Sequence, residues 1–407
     1  MDVFDAYEDD LEVIEIVEMG IPRQMYTRAD HFYGLPELQF FQRFRLTKPT
    51  VLHLLTLIEE RLEFPTDRNQ AVSPINQLLT TLRFFASGGH LSTVADYMGM
   101  HISTVSRIIR RVSDAIARLY QRFIKMPQTL MEQRLIQNGF FDIARFPRVI
   151  GAIDCTHIKI ESPGGENAEV FRNRKDYFSI NVQAMCNANM EFTNVVARWP
   201  GSTHDMTIFN NSILRANFEN GDYPNCIILG DGGYGVRHYF FTPLLNPHTQ
   251  EEQLYNEAHI RTRNVIERTF GVCKRRFPVL ACGCRLKKQT VLSIVIACAV
   301  LHNIARQMGE DEPPLPADIN QHELQRLIED GQISEVNVIV VLIFYFIFYC
   351  FSVLSCFSFL SCSFFISISN SKICFRSKNS TCFLSSSCFC PSSCVSTNSI
   401  FFVASSS

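Results

Sequence analysis

Four carboxylates stand at the ends, or inside apolar stretches, of consecutive predicted elements: Asp154, Asp205, Asp231 and Glu267. An acid in such a place needs a partner, because burying a lone charge is costly. Oxygen donors drawn from several segments, with no Cys or His required, suit a hard cation such as Mg²⁺ or Mn²⁺. Two such ions orient a water and stabilise the leaving oxygen of a phosphodiester, so metal-dependent phosphodiester cleavage is the chemistry this set implies. Each acid taken alone has an ordinary alternative. Asp205 caps a helix, Asp231 opens a turn before Gly232-Gly233, and Glu267 pairs with Arg263 one helical turn away. His157 and His204, each beside a candidate ligand, read as structural histidines in preference to proton carriers.

The elements that must position these acids follow from hydrophobic patterning. Val149-Ile-Gly-Ala-Ile-Asp-Cys-Thr-His-Ile-Lys-Ile alternates as a strand does and carries Asp154. Phe178–Cys186 and Phe192–Trp199 give two more strands, joined by a hairpin-like turn at Asn187-Ala-Asn-Met. A helix from Asp205 to Leu214 follows, then a strand Cys226–Gly230 that delivers Asp231, and a helix Asn264–Lys274 with Glu267. Three strands, a helix, a strand and a helix suggest an α/β fold with a ribonuclease-H-like mixed sheet and flanking helices. Such a sheet puts Asp154 beside Asp231, within reach of Glu267.

Before residue 146 the pattern is helical, so an all-α domain precedes the sheet. Apolar residues recur at helical spacing between Leu38 and Leu62, and Pro49 suits a helix start. A second helix follows Ser73-Pro74 and stops at Gly88-Gly89. From Leu91 to Arg111 the chain looks like a helix-turn-helix: Val94, Ala95 and Met98 pack the first helix, Gly99 turns, Ser103 caps the second helix, and Val105, Ile108, Ile109 and Val112 face inward. Arg107, Arg110 and Arg111 extend from that helix, and residues 101–150 hold nine bases against three acids. Phosphate neutralisation governs affinity for nucleic acid, which makes this unit a candidate DNA contact, the alternative being a solvated basic face. A second basic strip, 259–288, holds nine Lys and Arg against the single acid Glu267. Arg263, Arg268, Lys274, Arg275 and Arg276 are its candidate DNA-backbone contacts.

The strings Val149-Ile-Gly-Ala-Ile-Asp-Cys-Thr-His-Ile, Pro200-Gly-Ser-Thr-His-Asp, Leu229-Gly-Asp-Gly-Gly-Tyr and Arg263-Asn-Val-Ile-Glu-Arg-Thr-Phe-Gly resemble those of the PIF/Harbinger transposases and the nucleases derived from them. The resemblance covers about residues 35–310, including Lys274-Arg-Arg-Phe-Pro-Val-Leu and Ala299-Val-Leu-His-Asn-Ile. It implies a DDE-type nuclease with Asp154, Asp205, Asp231 and Glu267 as ligands of Mg²⁺ or Mn²⁺, acting on DNA in the nucleus, with the cytoplasm also open. Family usage counts Asp154, Asp205 and Glu267 as the minimal triad, whereas the strand pattern favours Asp154, Asp231 and Glu267. Cys155 stands where glycine is common in the family and, as a small hydrophobe, is tolerated. The resemblance also implies a separate Myb-like DNA-binding partner; self-association is left open. The alternative to a nuclease is a domesticated, non-catalytic DNA-binding protein that keeps the fold.

Composition divides the 407 residues at about residue 335. Val336–Ser407 contains 13 Phe, 20 Ser and 8 of the 15 Cys, and only three charges, Lys372, Arg376 and Lys378. The remainder carries 35 basic and 40 acidic side chains, which excludes a histone-like polycation. The uncharged run Val336–Ser371 is long enough for a membrane anchor, and the cysteines could form a disulfide module. A third reading explains the composition best: T-rich, pyrimidine-rich DNA translated as an artefact of the gene model. A membrane partner is therefore not expected. Met1–Gly20, with eight acids and no base, is unlike a secretory leader. The resulting plan is an acidic lead-in (1–34), a helical region (35–145), a nuclease domain (146–310), a linker or helix (311–335) and the tail (336–407).

Overall fold

The computed structural model describes residues 28–64, 71–88 and 90–313, with three short strands beyond residue 363. The chain divides into two units, Met1–Ala317 and Asp318–Ser407. Most of the acidic lead-in and of the 311–335 segment lies outside the described residues.

Among the described residues the first unit begins with eight helices: α1 (His31–Gly34), α2 (Glu37–Phe44), α3 (Lys48–Leu62), α4 (Pro74–Ser87), α5 (Leu91–Met98), α6 (Ile102–Ala117), α7 (Tyr120–Phe123) and α8 (Leu130–Ala144). Their starts and stops are local chemistry. Pro49 and Pro74 occupy the first turns of α3 and α4, where a missing N–H costs nothing. Gly88 ends α4 in the left-handed region at φ 57° and donates its N–H to the Phe84 carbonyl. Thr129 and Glu132 close a reciprocal capping box on α8. The helix-turn-helix pattern is present, with Gly99 at φ 59° between α5 and α6. The cap of α6 is not the expected Ser103: His101 precedes the helix and accepts from the Ser103 N–H, because the helix begins at Ile102.

Five strands follow: β1 (Val149–Lys159), β2 (Ser179–Cys186), β3 (Phe192–Pro200), β4 (Ile227–Leu229) and β5 (Phe240–Phe241). They form one mixed sheet in the order β3-β2-β1-β4-β5. β1–β2 and β2–β3 are antiparallel, while β1–β4 and β4–β5 are parallel. This is the expected ribonuclease-H-like arrangement, with β5 added at one edge. The helix expected from Asp205 to Leu214 is broken in two, α9 (Asp205–Asn210) and α10 (Ile213–Glu219). Ser212 causes the break: its hydroxyl accepts from the Arg215 N–H and so starts a new helix.

Three more helices complete the unit: α11 (Gln250–Arg276), α12 (Val279–Cys282) and α13 (Lys288–Gln307). α11 packs on β1 and β2, and α13 packs on β3 and on α6. One apolar cluster consequently runs from Phe40, Leu54 and Ile109 through Val149 and Leu229 to Val300 and Leu301, joining the N-terminal helices to the sheet. The opposite sheet face has its own cluster, built on Ile150, Ile153, Phe209, Phe218 and Phe240. Among the described residues α13 alone is long and apolar enough to cross a membrane, yet here it is a core helix with Val291, Ile294, Cys298 and Leu301 buried.

In the second unit, β6 (Phe364–Ser369) pairs antiparallel with β7 (Lys372–Ser377) and β8 (Ile400–Val403). The run Val336–Ser371, read above as a possible anchor, otherwise lies outside the described residues.

Candidate active site

Strand register fixes the first two acids. Ala152 on β1 is paired with Leu229 on the parallel β4, and Asp154 and Asp231 each lie two residues further on. Asp231 has already left β4 for the turn that follows it, yet it stands near enough to Asp154 for the two carboxylates to repel each other. The turn after β4 is shaped for this. The Gly233 N–H donates to Asp231 Oδ1 at 3.0 Å, and a Cβ on Gly233 would stand only 3.2 Å from that oxygen. At Gly230 a Cβ would meet the Phe240 ring at 2.5 Å, so this position admits the close packing of β5. The ordinary reading of Asp231 as a turn former is thus realised together with its place beside Asp154.

Glu267 enters from α11, the helix laid across β1, and Arg263 comes with it. The Arg263 guanidinium forks between the two elements. Nη1 donates to Asp154 Oδ2 at 3.0 Å and Nη2 to Glu267 Oε1 at 2.6 Å. Asp154 Oδ1 also accepts from the Cys155 N–H at 2.7 Å. Burial pushes the Asp154 carboxyl up to about 6, against the pull of Arg263 and that N–H, while Asp231 and Glu267 add repulsion. Asp154, Asp231 and Glu267 therefore form one electrostatic cluster with Arg263 in it.

Asp205 stands apart from that cluster. Its Oδ1 accepts from Asn181 Nδ2 at 2.9 Å, and its carboxylate bonds the Cys155 thiol. Cys155 pairs across the ladder with Gln183, and His157 pairs with Asn181. These odd-numbered positions share one face, whereas Asp154 alternates to the other. Asp154 thus points to the α11 side of the sheet, where Glu267 stands, while Asp205, the first residue of α9, meets Cys155 on the other side. Among the described residues, no three of His, Cys, Asp and Glu are grouped so as to hold a metal ion. The site fits a hard cation by donor type, with Asp231 and Glu267 near enough to Asp154 to repel it. Arg263 must give up its two carboxylates for that fit to be complete.

A buried network that the sequence did not single out ties the acid-bearing segments together. Gln183, in the middle of β2, donates from Nε2 to the Tyr234 hydroxyl at 3.0 Å and to the Asp205 carbonyl at 3.1 Å. The Tyr234 hydroxyl also contacts Cys155 Sγ at 3.4 Å. Burial raises both the tyrosine hydroxyl and the thiol well above their usual ranges, so both stay protonated. The one available signal was the run of polar side chains Ser179, Asn181 and Gln183 at alternate positions of a strand. His157 is held by Ser179 Oγ at 3.0 Å, and burial lowers its pKa. His204 is exposed at the start of α9.

The candidate DNA contacts separate into two groups. Arg107, Arg110 and Arg268 are exposed, and Arg110 and Arg268 have no ion-pair partner among the described residues. The others make bonds within the chain, Arg111 and Arg275 at the surface and Lys274 and Arg276 in more enclosed places. Arg111 donates to the Arg61 and Glu63 carbonyls at the end of α3 and lies 4.2 Å above the Phe64 ring. Arg275 pairs with Glu312 at 3.0 Å. Lys274 donates to Thr156 Oγ1 at 2.8 Å, and burial lowers its pKa to about 8. Arg276 is 1% exposed and pairs with Glu310 at 2.7 Å, so it is a core residue and not a groove residue. The reason is helical register: Val265, Thr269, Val272, Cys273 and Arg276 form the buried stripe of α11.

Residues 153–303 match the family of DDE superfamily endonucleases. The candidate nuclease HARBI1 of Homo sapiens is 32% identical over 264 residues, which cover 64% of this chain and 75% of that protein. The Mus musculus protein is 33% identical over 276 residues, covering 67% and 79%. Protein ALP1-like of Arabidopsis thaliana is 26% identical over 307 residues, covering 70% and 75%. No solved structure matches the chain. Sheet order and these likenesses agree: the chain belongs to the Harbinger transposase-derived nuclease family of the DDE endonuclease superfamily.

Proposed function

We propose that the protein is a divalent-metal-dependent DNA endonuclease, cleaving phosphodiester bonds by two-metal DDE chemistry. The observation that carries this reading is Asp154 on β1 beside Asp231, just past the end of the neighbouring parallel strand β4, with Glu267 within electrostatic reach. Asp154, Asp231 and Glu267 are the acids that would hold Mg²⁺ or Mn²⁺, and Asp205 fixes the start of α9 through Asn181. When bound, such an ion lowers the pKa of a coordinated water and offsets the charge of the phosphate. Exposed Arg107, Arg110 and Arg268 supply backbone contacts to DNA, whose affinity is therefore salt-dependent. A DNA substrate implies the nucleus as the working compartment. The test is cleavage of duplex DNA in the presence of Mg²⁺ or Mn²⁺. Loss of cutting in Asp154→Ala is expected, and cutting that survives that change overturns the assignment.

A second reading has its own support. Arg263 already neutralises Asp154 and Glu267, so this face is satisfied without an ion, as a non-catalytic DNA-binding descendant would need. Calorimetric titration with Mn²⁺ separates the two: uptake favours the nuclease, and its absence in the folded chain favours the DNA-binding protein.

A further inference from the structure

Arg263 holds the acid face in a way that differs from the other enclosed arginine on the same helix. Arg276 is anchored on two backbone carbonyls, Arg45 at 2.9 Å and Asp311 at 2.7 Å, as well as on Glu310. Arg263 has no backbone acceptor among the described residues. Its two bonds run to Asp154 and Glu267, and its Nε, like that of Arg276, is buried without a partner. The side chain is 16% exposed, and the Glu267 side of the fork opens to solvent at 39%. A guanidinium so placed occupies carboxylate lone pairs in the fork geometry it prefers. It also offsets repulsion among three neighbouring acids.

We propose that Arg263 is a resident counter-cation of the acid face, an occupant that a divalent ion must displace. This rests on the metal-dependent reading given above. While Arg263 is forked, Asp154 Oδ2 and Glu267 Oε1 are both occupied by it. Once the guanidinium swings toward the open Glu267 side, the oxygens that it held become available together. A site whose competent arrangement is only partly populated binds with correspondingly reduced apparent affinity. Arg263 thus keeps the acids arranged when no ion is present and sets a threshold on ion uptake.

The experiment is Mn²⁺ titration of the full chain by calorimetry and electron paramagnetic resonance, comparing wild type with Arg263→Gln. The variant is expected to bind about tenfold more tightly, because the competing occupant is gone. In chelator it should melt below wild type, and Mn²⁺ should raise its melting temperature by more. Equal or weaker binding by the variant overturns the proposal and leaves the metal reading standing. If neither protein takes up Mn²⁺ while folded, the metal reading itself fails and the proposal with it. Should Arg263→Gln not fold, the wild type supplies the answer. Saturating Mg²⁺ is expected to shift the Arg263 Nε resonance and speed its hydrogen exchange, and an unchanged signal under bound Mg²⁺ overturns the proposal.

Discussion

Gln183 donates to the Tyr234 hydroxyl at 3.0 Å, and through that bond strand β2 grips the turn that carries Asp231. The same amide reaches the Asp205 carbonyl, so one side chain joins the segments of two candidate acids. Gln183→Leu keeps the bulk but strands the tyrosine and the carbonyl, at a cost of about 1–3 kcal/mol. Loss of such a supporting bond is expected to weaken Mn²⁺ binding about tenfold. Urea unfolding measures the first effect and calorimetric titration the second. Wild-type Mn²⁺ affinity in the variant would remove Gln183 from the positioning of the site.

Asp154 makes a stability prediction of opposite sense. Its carboxyl is raised from 3.8 to about 6, so the folded chain holds this proton more tightly than the unfolded one. Stability contributed by this group therefore falls as pH rises from the unfolded to the folded value, and the deficit persists above about pH 6. Two units correspond to roughly 3 kcal/mol. Metal-free Asp154→Asn should accordingly be more stable than wild type above about pH 7, and no more stable near pH 4, while losing Mn²⁺ binding. Chelated samples melted at both pH values check this.

The Arg276–Glu310 pair holds the end of α11 to the segment after α13. Both side chains are almost fully enclosed, and Glu310 Oε1 also accepts from the Thr47 N–H and hydroxyl, each at 2.9 Å. Glu310→Ala leaves a buried guanidinium unpaired, which costs about 3–5 kcal/mol. Adding Arg276→Met should recover part of that loss, because the desolvated charge leaves with it. Denaturant midpoints of the single and double variants measure the effect.

His302 sets an acid limit. It is fully buried on α13 with Nε2 at 2.7 Å from the Met190 carbonyl, and burial lowers its pKa from 6.5 to about 4. The unfolded chain binds the proton more tightly here, so stability is full above pH 6.5 and is lost as pH falls toward 4. The loss between pH 6.5 and about pH 5 is roughly 2 kcal/mol. His302→Gln keeps a donor without the titration and should flatten the stability profile in that window.

The sheet and most helices were legible because each rests on a local signal: alternation in β1, glycine and proline at the ends of α4, capped starts elsewhere. The acids were legible because carboxylates stand out in apolar strands. Which face each one takes was not, since a bulge between Val149 and Gly151 resets the alternation along β1. Strand β5 was missed because two residues, Phe240 and Phe241, carry no periodicity. The basic strip misled by composition. Nine cations suggested a wet groove, although Arg276 lies in register with Val265, Thr269 and Val272, a spacing that already points it inward.

The N-terminal helices and the sheet are welded by a common core and by the Arg276–Glu310 stitch. A duplex gripped through Arg107 and Arg110 would thus meet Asp154 at a set number of base pairs from the gripped site. The molecule would act as a ruler: the place of any incision would be measured by its own dimensions, with no tether whose length could blur it.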